Sequence, residues 1–292
     1  MPIEYDIRLE IGYVYDSPAA STRTLLRMLP LTNGEQTLIS GRVSADPDPD
    51  FRRDGVDFFG NATTEIAHDA GQTEFRFRFK GRVRRIPRGT TLDLSCGLGA
   101  LGAELQSIHS ILPMSPHHFL GASERIRHEP EIAAFAEELT GPDMSVLAAL
   151  KAVSHAIHER FDFDPEATEV STLPIEAFRN RRGVCQDISQ VTIASLRAIG
   201  IPAGYVSGFL RTVPPPGQSR LEGADAMHAW VRAWCGVETG WVEIDPTNDM
   251  LAGPDHIAVA IGRDYADVAP VKGSSRTSGS HRTDHKVDVI PL

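Results

Sequence analysis

Residues 3 to 15 read IEYDIRLEIGYVY, and nearly every odd position is apolar or aromatic: Ile3, Tyr5, Ile7, Leu9, Ile11, Tyr13 and Tyr15. Glu4, Asp6, Arg8 and Glu10 take the even positions. A period of two is the mark of a strand with one buried face; on a helix these side chains would scatter around the whole circumference. The pattern returns with Phe75, Phe77, Phe79 and Val83 set against Arg76, Arg78, Lys80, Arg82 and Arg84. Between the two runs lies SADPDPD, a turn-rich stretch that cannot sit inside an element. Residues 1–95 are therefore expected to form an all-β domain, an antiparallel β-sandwich.

Beyond residue 95 the period changes. A helix is expected from Glu129-Pro130, with Ile132, Phe135, Ala136 and Leu139 at helical spacing and Gly141-Pro142 as its stop. A second runs from about Ser145 to Arg160, and a third begins at Cys185 and ends at Gly200-Ile201-Pro202. Three strands follow: AGYVSGFL, HAWVRAW and GWVEID. The fold class is α+β, with helices packed on an antiparallel sheet over residues 96–272. Residues 273–292 read as a polar, flexible segment followed by a closing strand, HKVDVIPL. A length of 292 residues accommodates both domains.

Net charge is −10, which argues against a nucleic-acid groove, because phosphate binding needs clustered Lys and Arg. The one basic run, RFRFKGRVRR, alternates with apolar residues and reads as the polar face of a strand. No apolar stretch reaches the ~18 residues of a membrane span, and MPIEYDIRLE carries no apolar signal core. Cys96, Cys185 and Cys235 form no disulfide framework. A cytoplasmic location is expected, with neither nucleic acid nor membrane as partner.

Cys185 follows Gly183-Val184 at the start of a helix, in RRGVCQDISQ. Unpaired N–H groups and the positive end of the helix dipole favour a thiolate there. The hairpin DAMHAWVRAWCGVETGWVEIDPTND supplies a base and an orienting acid. With its turn centred between Gly236 and Val237, His228 stands opposite Asp245, Trp230 opposite Glu243, and Arg232 opposite Trp241. The other face is wholly apolar, which supports the pairing. His155 and His158 stand three apart on a helix without a third ligand, so no metal site is expected.

The three blocks RRGVCQDISQVTIASLRAIGIPAGYVSGFL, DAMHAWVRAW and GWVEIDPTND together resemble the bacterial transglutaminase-like superfamily. YDIRLEIGYVYDSP and DFFGN resemble the β domain that precedes the core in one bacterial branch, and GRDYADVAPVKG its tail. The resemblance implies a papain-like core and a catalytic set of Cys185, His228 and Asp245. It implies a thiol acyl-transfer enzyme, without cofactor, acting on the amide of a peptide or protein substrate, with water or an amine as acceptor. Gln186 follows the nucleophile where animal transglutaminases carry Trp, and no Trp precedes Trp230, so hydrolysis is favoured over cross-linking. Gln186 is an expected oxyanion donor beside the Cys185 N–H. Trp230, Trp241 and Glu243 are expected to line the cleft, and the loop from Thr212 to Ala226 to act as a lid. Two other readings stand beside it: a peptide-binding module with a vestigial triad, and an N-acetyltransferase, which also uses Cys, His and Asp and fits the hairpin but not the N-terminal β domain.

Overall fold

A computed structural model describes residues 2–87, 89, 92–212 and 225–292. Five strands open the chain: β1 (Ile3–Leu26), β2 (Gln36–Asp46), β3 (Phe51–Val56), β4 (Ala62–His68) and β5 (Gln72–Arg85). Tyr5, Ile7, Leu9 and Ile11 of β1 are buried, as are Phe75, Phe77 and Phe79 of β5. On the opposite face the ladder sets Glu4 against Arg84, Asp6 against Arg82 and Glu10 against Arg78. All three make ion pairs, at 2.7, 2.8 and 2.5 Å. Exposed pairs of this kind are each worth under ~1 kcal/mol. Their larger effect is on register, since a slip by one residue would turn the arginines into the aromatic core.

The helical region holds α1 (Leu101–Ser107), α2 (Pro130–Leu139), α3 (Val146–Arg160), β6 (Asp162–Phe163), α4 (Pro174–Asn180), β7 (Arg182–Gly183) and α5 (Cys185–Ala198). The Ser145 hydroxyl caps α3 by accepting the Ala148 N–H at 3.1 Å. Helix α5 is the hub of the core, with every residue from Asp187 to Leu196 buried. The hydroxyls of Thr192 and Ser195 survive burial by donating to the carbonyls of Ile188 and Val191. Gly200, at φ +83°, turns the chain out of the helix.

Next come β8 (Ala203–Leu210), β9 (Ala226–Trp234), β10 (Trp241–Asp245), β11 (Met250–Leu251), β12 (His256–Gly262) and the short α6 (Tyr265–Val268). They form an antiparallel sheet ordered β11-β10-β9-β8-β12. Ile188 and Val191 of α5 share one buried cluster with Tyr205, Ala229, Val231 and Ala233 of the sheet.

The last strands, β13 (Val271–Arg276) and β14 (His281–Pro291), both return to β1. The first half of β1 lies between β5 and β14, the second half between β4 and β13. The N-terminal sandwich is thus two four-stranded halves joined through one long strand. The expected closing strand over residues 285–292 is part of β14, up to Pro291, while the expectation of a flexible segment over residues 273–284 is corrected: polar as it is, the segment finds backbone partners along β1 and closes the N-terminal domain.

Side chains weld the two domains. Phe209, Ile257 and Val259 of the core sheet belong to the same buried cluster as Tyr5, Phe79 and Val287. The fully buried Gln36 amide donates to the Ala258 carbonyl at 2.7 Å and accepts its N–H at 2.9 Å. Asn61 clips Ile261 in the same two-way fashion, at 2.8 Å each. These amides satisfy backbone groups on the free edge of β12 as a neighbouring strand would. Among the described residues no helix is long and apolar enough to cross a membrane.

Candidate active site

Cys185 is the first residue of α5 and is half-buried. Its position is set by the turn before it. The carboxylate of Asp187 accepts the Val184 N–H at 3.0 Å and the Thr168 hydroxyl at 2.6 Å, closing the first turn of the helix. Gly183 leaves room for that closure, because a Cβ there would stand 2.8 Å from the Asp187 Cβ. The other thiols are less suited to nucleophilic work. Cys235 is fully buried, and burial together with Glu104 pushes the Cys96 thiol up.

His228 and Asp245 are both buried, and His228 Nε2 meets Asp245 Oδ2 at 2.7 Å. The thiol of Cys185 is the second group that favours charge on the ring. With Nε2 committed to Asp245, Nδ1 is the nitrogen left for the thiol. Burial opposes charge on the imidazole, but the hydrogen bonds to Asp245 and Cys185 overcome it and raise His228 to about 9. Burial likewise pushes the Asp245 carboxyl up. Hydrogen bonds from His228, His256 and Asn248 prevail and hold it well below the usual carboxylate range.

The structure corrects the expected pairing of the hairpin. The observed ladder runs Trp241 to Trp234, Glu243 to Arg232 and Ile244 to Val231. Continued one step, it sets Asp245 beside Trp230 and leaves His228 on the diagonal. The expectation was off by two positions along the partner strand, so the sorting of faces survived while the direct opposition did not. The cause is a longer turn, pinned by Cys235 N–H to Gly240 C=O at 2.8 Å and by positive φ at Gly236 and Gly240.

The cleft residues also need correction. Trp230 is fully buried, donates Nε1–H to Glu243 at 2.8 Å, and lies against the rings of His228 and His256. It backs the site rather than lining a cleft, and it occupies the half-buried Glu243 in doing so. Trp241 is half-buried beneath the Arg232 guanidinium, 4.2 Å from its ring centre, and donates to the Met114 carbonyl. Gln186 points its amide at the Val170 carbonyl, 3.3 Å away. Residues 213–224 of the expected lid lie outside the described residues.

Sequence reasoning missed three contributions to this site: an asparagine, a bracing pair of helical histidines and one further histidine. Asn248 donates its amide to Asp245 Oδ2 at 2.7 Å, while the N–H groups of Thr247 and Asn248 reach Oδ1. His155 and His158 brace this turn from α3, through the Asp249 carboxylate at 2.7 Å and the Thr247 carbonyl at 3.1 Å. The third is His256, whose Nε2 lies 3.0 Å from Asp245 Oδ2. The spacing His155-x-x-His158 carried a signal for paired work. Nothing local marked His256, which starts a strand three places away from β10 in the sheet.

His228, Asp245 and His256 together have donor atoms of the kind that bind divalent cations. Here both imidazole nitrogens aim at one carboxylate oxygen at hydrogen-bond distance, and a cation would have to break those bonds. The arrangement sets a thiol near an imidazole that is hydrogen-bonded to a carboxylate, suited to moving a proton during thiol acyl transfer.

Residues 133–246 match the model of the transglutaminase-like superfamily, and residues 5–84 that of the bacterial transglutaminase-like N-terminal region. An uncharacterized protein of Mycobacterium tuberculosis is 31% identical over 300 residues, covering 99% of this chain and 93% of the relative. A protein-glutamine gamma-glutamyltransferase of Pseudomonas aeruginosa is 32% identical over 153 residues, which is 49% of this chain and 22% of that protein. A candidate cysteine protease from Cytophaga hutchinsonii has a solved structure that superposes with a TM-score of 0.75, over 100% of this chain and 91% of its own. At 18% identity that likeness is one of fold.

Proposed function

We propose, from the premise that this chain belongs to the transglutaminase-like superfamily, that it is a thiol acyl-transfer enzyme acting on a peptide or carboxamide bond. One observation carries the reading: Asp245 holds His228 at 2.7 Å, and the other partner of the ring is the thiol that begins α5.

Cys185 is the nucleophile, His228 the acid and base, and Asp245 the group that orients the imidazole. With His228 raised to about 9, the ring holds a proton at neutral pH. That proton is the one Cys185 gives up to the ring; the thiolate sulfur so formed adds to the substrate carbonyl, and the C=O electron pair moves onto oxygen. N–H groups of the first turn of α5, that of Cys185 among them, face the charge that develops there. The C–N bond then breaks as His228 gives its proton to the leaving nitrogen. The thioester left on Cys185 is opened by water or an amine, from which His228 takes a proton. Gln186 and the lack of any Trp before Trp230 favour water. The free thiols at Cys96, Cys185 and Cys235 favour a reducing, cytoplasmic setting.

The test follows three products from a library of glutamine-containing peptides: ammonia, new N-termini and incorporated amine probe. Wild-type protein is compared with Cys185→Ala. Any of the three products that vanishes in the variant supports the reading; incorporated probe names an amine as acceptor, and new N-termini, or ammonia without incorporated probe, name water. Product formation unchanged by Cys185→Ala removes the nucleophile.

A binding-module reading draws on a different place. A cleft of about 420 Å³ in the N-terminal domain is lined by Tyr13, Tyr15, Phe75, Phe77 and His281 and includes none of the three proposed residues. Peptide binding that survives Cys185→Ala in a protein without turnover would favour that reading.

A further inference from the structure

Asp245 has two histidine partners. His256 is almost fully buried, and its Nδ1 accepts the Gly253 N–H at 3.1 Å. A backbone N–H can only donate, so the ring hydrogen sits on Nε2 and points at Asp245 Oδ2, 3.0 Å away. The same oxygen receives His228 Nε2 at 2.7 Å and the Asn248 amide at 2.7 Å.

The ring reaches that place through a gap in the sheet. Gly208 pairs with His228 on one side and Ala258 on the other. A Cβ on Gly208 would lie 2.6 Å from the Trp230 ring and 2.2 Å from the Ile257 carbonyl oxygen. With no side chain at 208, Trp230 fills the space and packs edge-on against His256, their centres 5.2 Å apart. His256 is thus fixed by a backbone donor on one side and an indole on another.

The geometry points to His256 as a positioning residue: its Nε2–H holds the Asp245 carboxylate in one rotation and shares the charge of Oδ2 between two imidazoles. This inference rests on the reading of Cys185, His228 and Asp245 as the catalytic set. Its consequence is electrostatic as well as geometric. A donor that stabilises the carboxylate weakens the hold of that carboxylate on the His228 proton. The ionisable groups facing the His228 ring are Cys185 from α5, Asp245 from β10 and His256 from β12. Glu243 lies behind Trp230, and Tyr205 is near enough to Cys185 and Asp187 to feel their charge.

The test titrates His228 by nitrogen NMR in the full chain with labelled histidine. His256→Phe keeps a ring and removes the donor, while His256→Gln keeps a donor near the place of Nε2. In His256→Phe the pH at which His228 gives up its proton should rise by about one unit, a tenfold gain in proton affinity; in His256→Gln it should move by less than about a third of that. A role limited to filling space would lower stability and leave this titration where it was. An unmoved His228 titration in folded His256→Phe overturns the inference. If that variant does not fold, the wild type decides: a hydrogen on His256 Nε2 supports it and one on Nδ1 overturns it. Cys185 alkylation that ignores His228→Ala would sink the nucleophile assignment, yet it would leave this titration, read without substrate or thiol chemistry, standing.

Discussion

The carboxylate of Asp225 accepts the backbone N–H of Val289 at 2.6 Å, while its other oxygen accepts the N–H of Thr212 at 2.6 Å. Asp225 stands three residues before His228 and forms a bridge with Val287 of β14. The strand that carries the proposed base is therefore tied to the last strand of the chain. Asp225→Ala leaves two backbone donors without this partner and should cost about 1–3 kcal/mol. Urea unfolding would show it as a lower midpoint at unchanged slope. The rate of Cys185 alkylation should fall as His228 loses its anchor, and an unchanged rate would contradict that coupling.

Stability should depend on pH in a definite sense. His228 is raised to about 9 in the folded protein, from an ordinary value near 6.5. Its contribution is full below about 6.5 and lost as the pH rises through about 9. Asp245 is held low, so its contribution is present above the ordinary carboxylate range and lost as the pH falls below it. Urea midpoints should peak between about pH 5 and 6.5 and lose about 3 kcal/mol of stability by about pH 10, at ~1.4 kcal/mol per unit. Asp245→Asn should flatten the alkaline decline. Equal stability at the two ends of that range in the wild type would show that His228 is not held by this pair.

Gly183 is a second lever on the nucleophile. A methyl group at 183 would meet the Asp187 side chain at 2.8 Å and force the first turn of α5 to shift. Gly183→Ala should slow alkylation of Cys185 at least tenfold while leaving far-ultraviolet circular dichroism unchanged, since a misplacement of ~1 Å is enough to lose such a factor. Alkylation at the wild-type rate would mean that the turn yields without moving the thiol.

The two amides that clip β12 give a prediction about the domains. Gln36→Ala strips both backbone groups of Ala258 of this partner, and Asn61→Ala does the same at Ile261. Each should cost about 1–3 kcal/mol. The double variant should separate the unfolding of the two domains into two transitions by calorimetry. A single sharp transition would show that the apolar contact of Phe209, Ile257 and Val259 suffices alone.

The parts that were legible in the sequence are the parts whose cause is local. The alternation of β1 and β5 comes from one buried face, and Cys185 heads α5 because Gly183 and Asp187 shape the turn before it. The hairpin register was two positions out because a pattern of faces cannot count the residues held in a turn by Gly236 and Gly240. Alternation also assigned Trp230 to the right face without revealing that His256 and Glu243 cover it there. His256 itself stayed hidden because its value depends on sheet order, which brings a residue of β12 to a carboxylate on β10. The serines and threonines of residues 273–283 looked like a tether for want of any apolar face, and it is the open edge of β1 that makes them strands.

That edge has a meaning for how the chain is made. Tyr5 pairs with Pro291 and Tyr15 with His281, so one side of β1 waits for β14 to be synthesised. Contacts so distant in sequence close slowly, and a strand with one bare edge meanwhile invites pairing with other chains. The outward row of Glu4, Asp6, Arg8 and Glu10 puts charge along that strand throughout the wait, as gatekeepers against aggregation. The tie from Val289 to Asp225 is among the last to become available. A nascent chain on the ribosome thus carries its thiol long before the strand bearing His228 is locked beside it, and reactivity waits until β14 has been made.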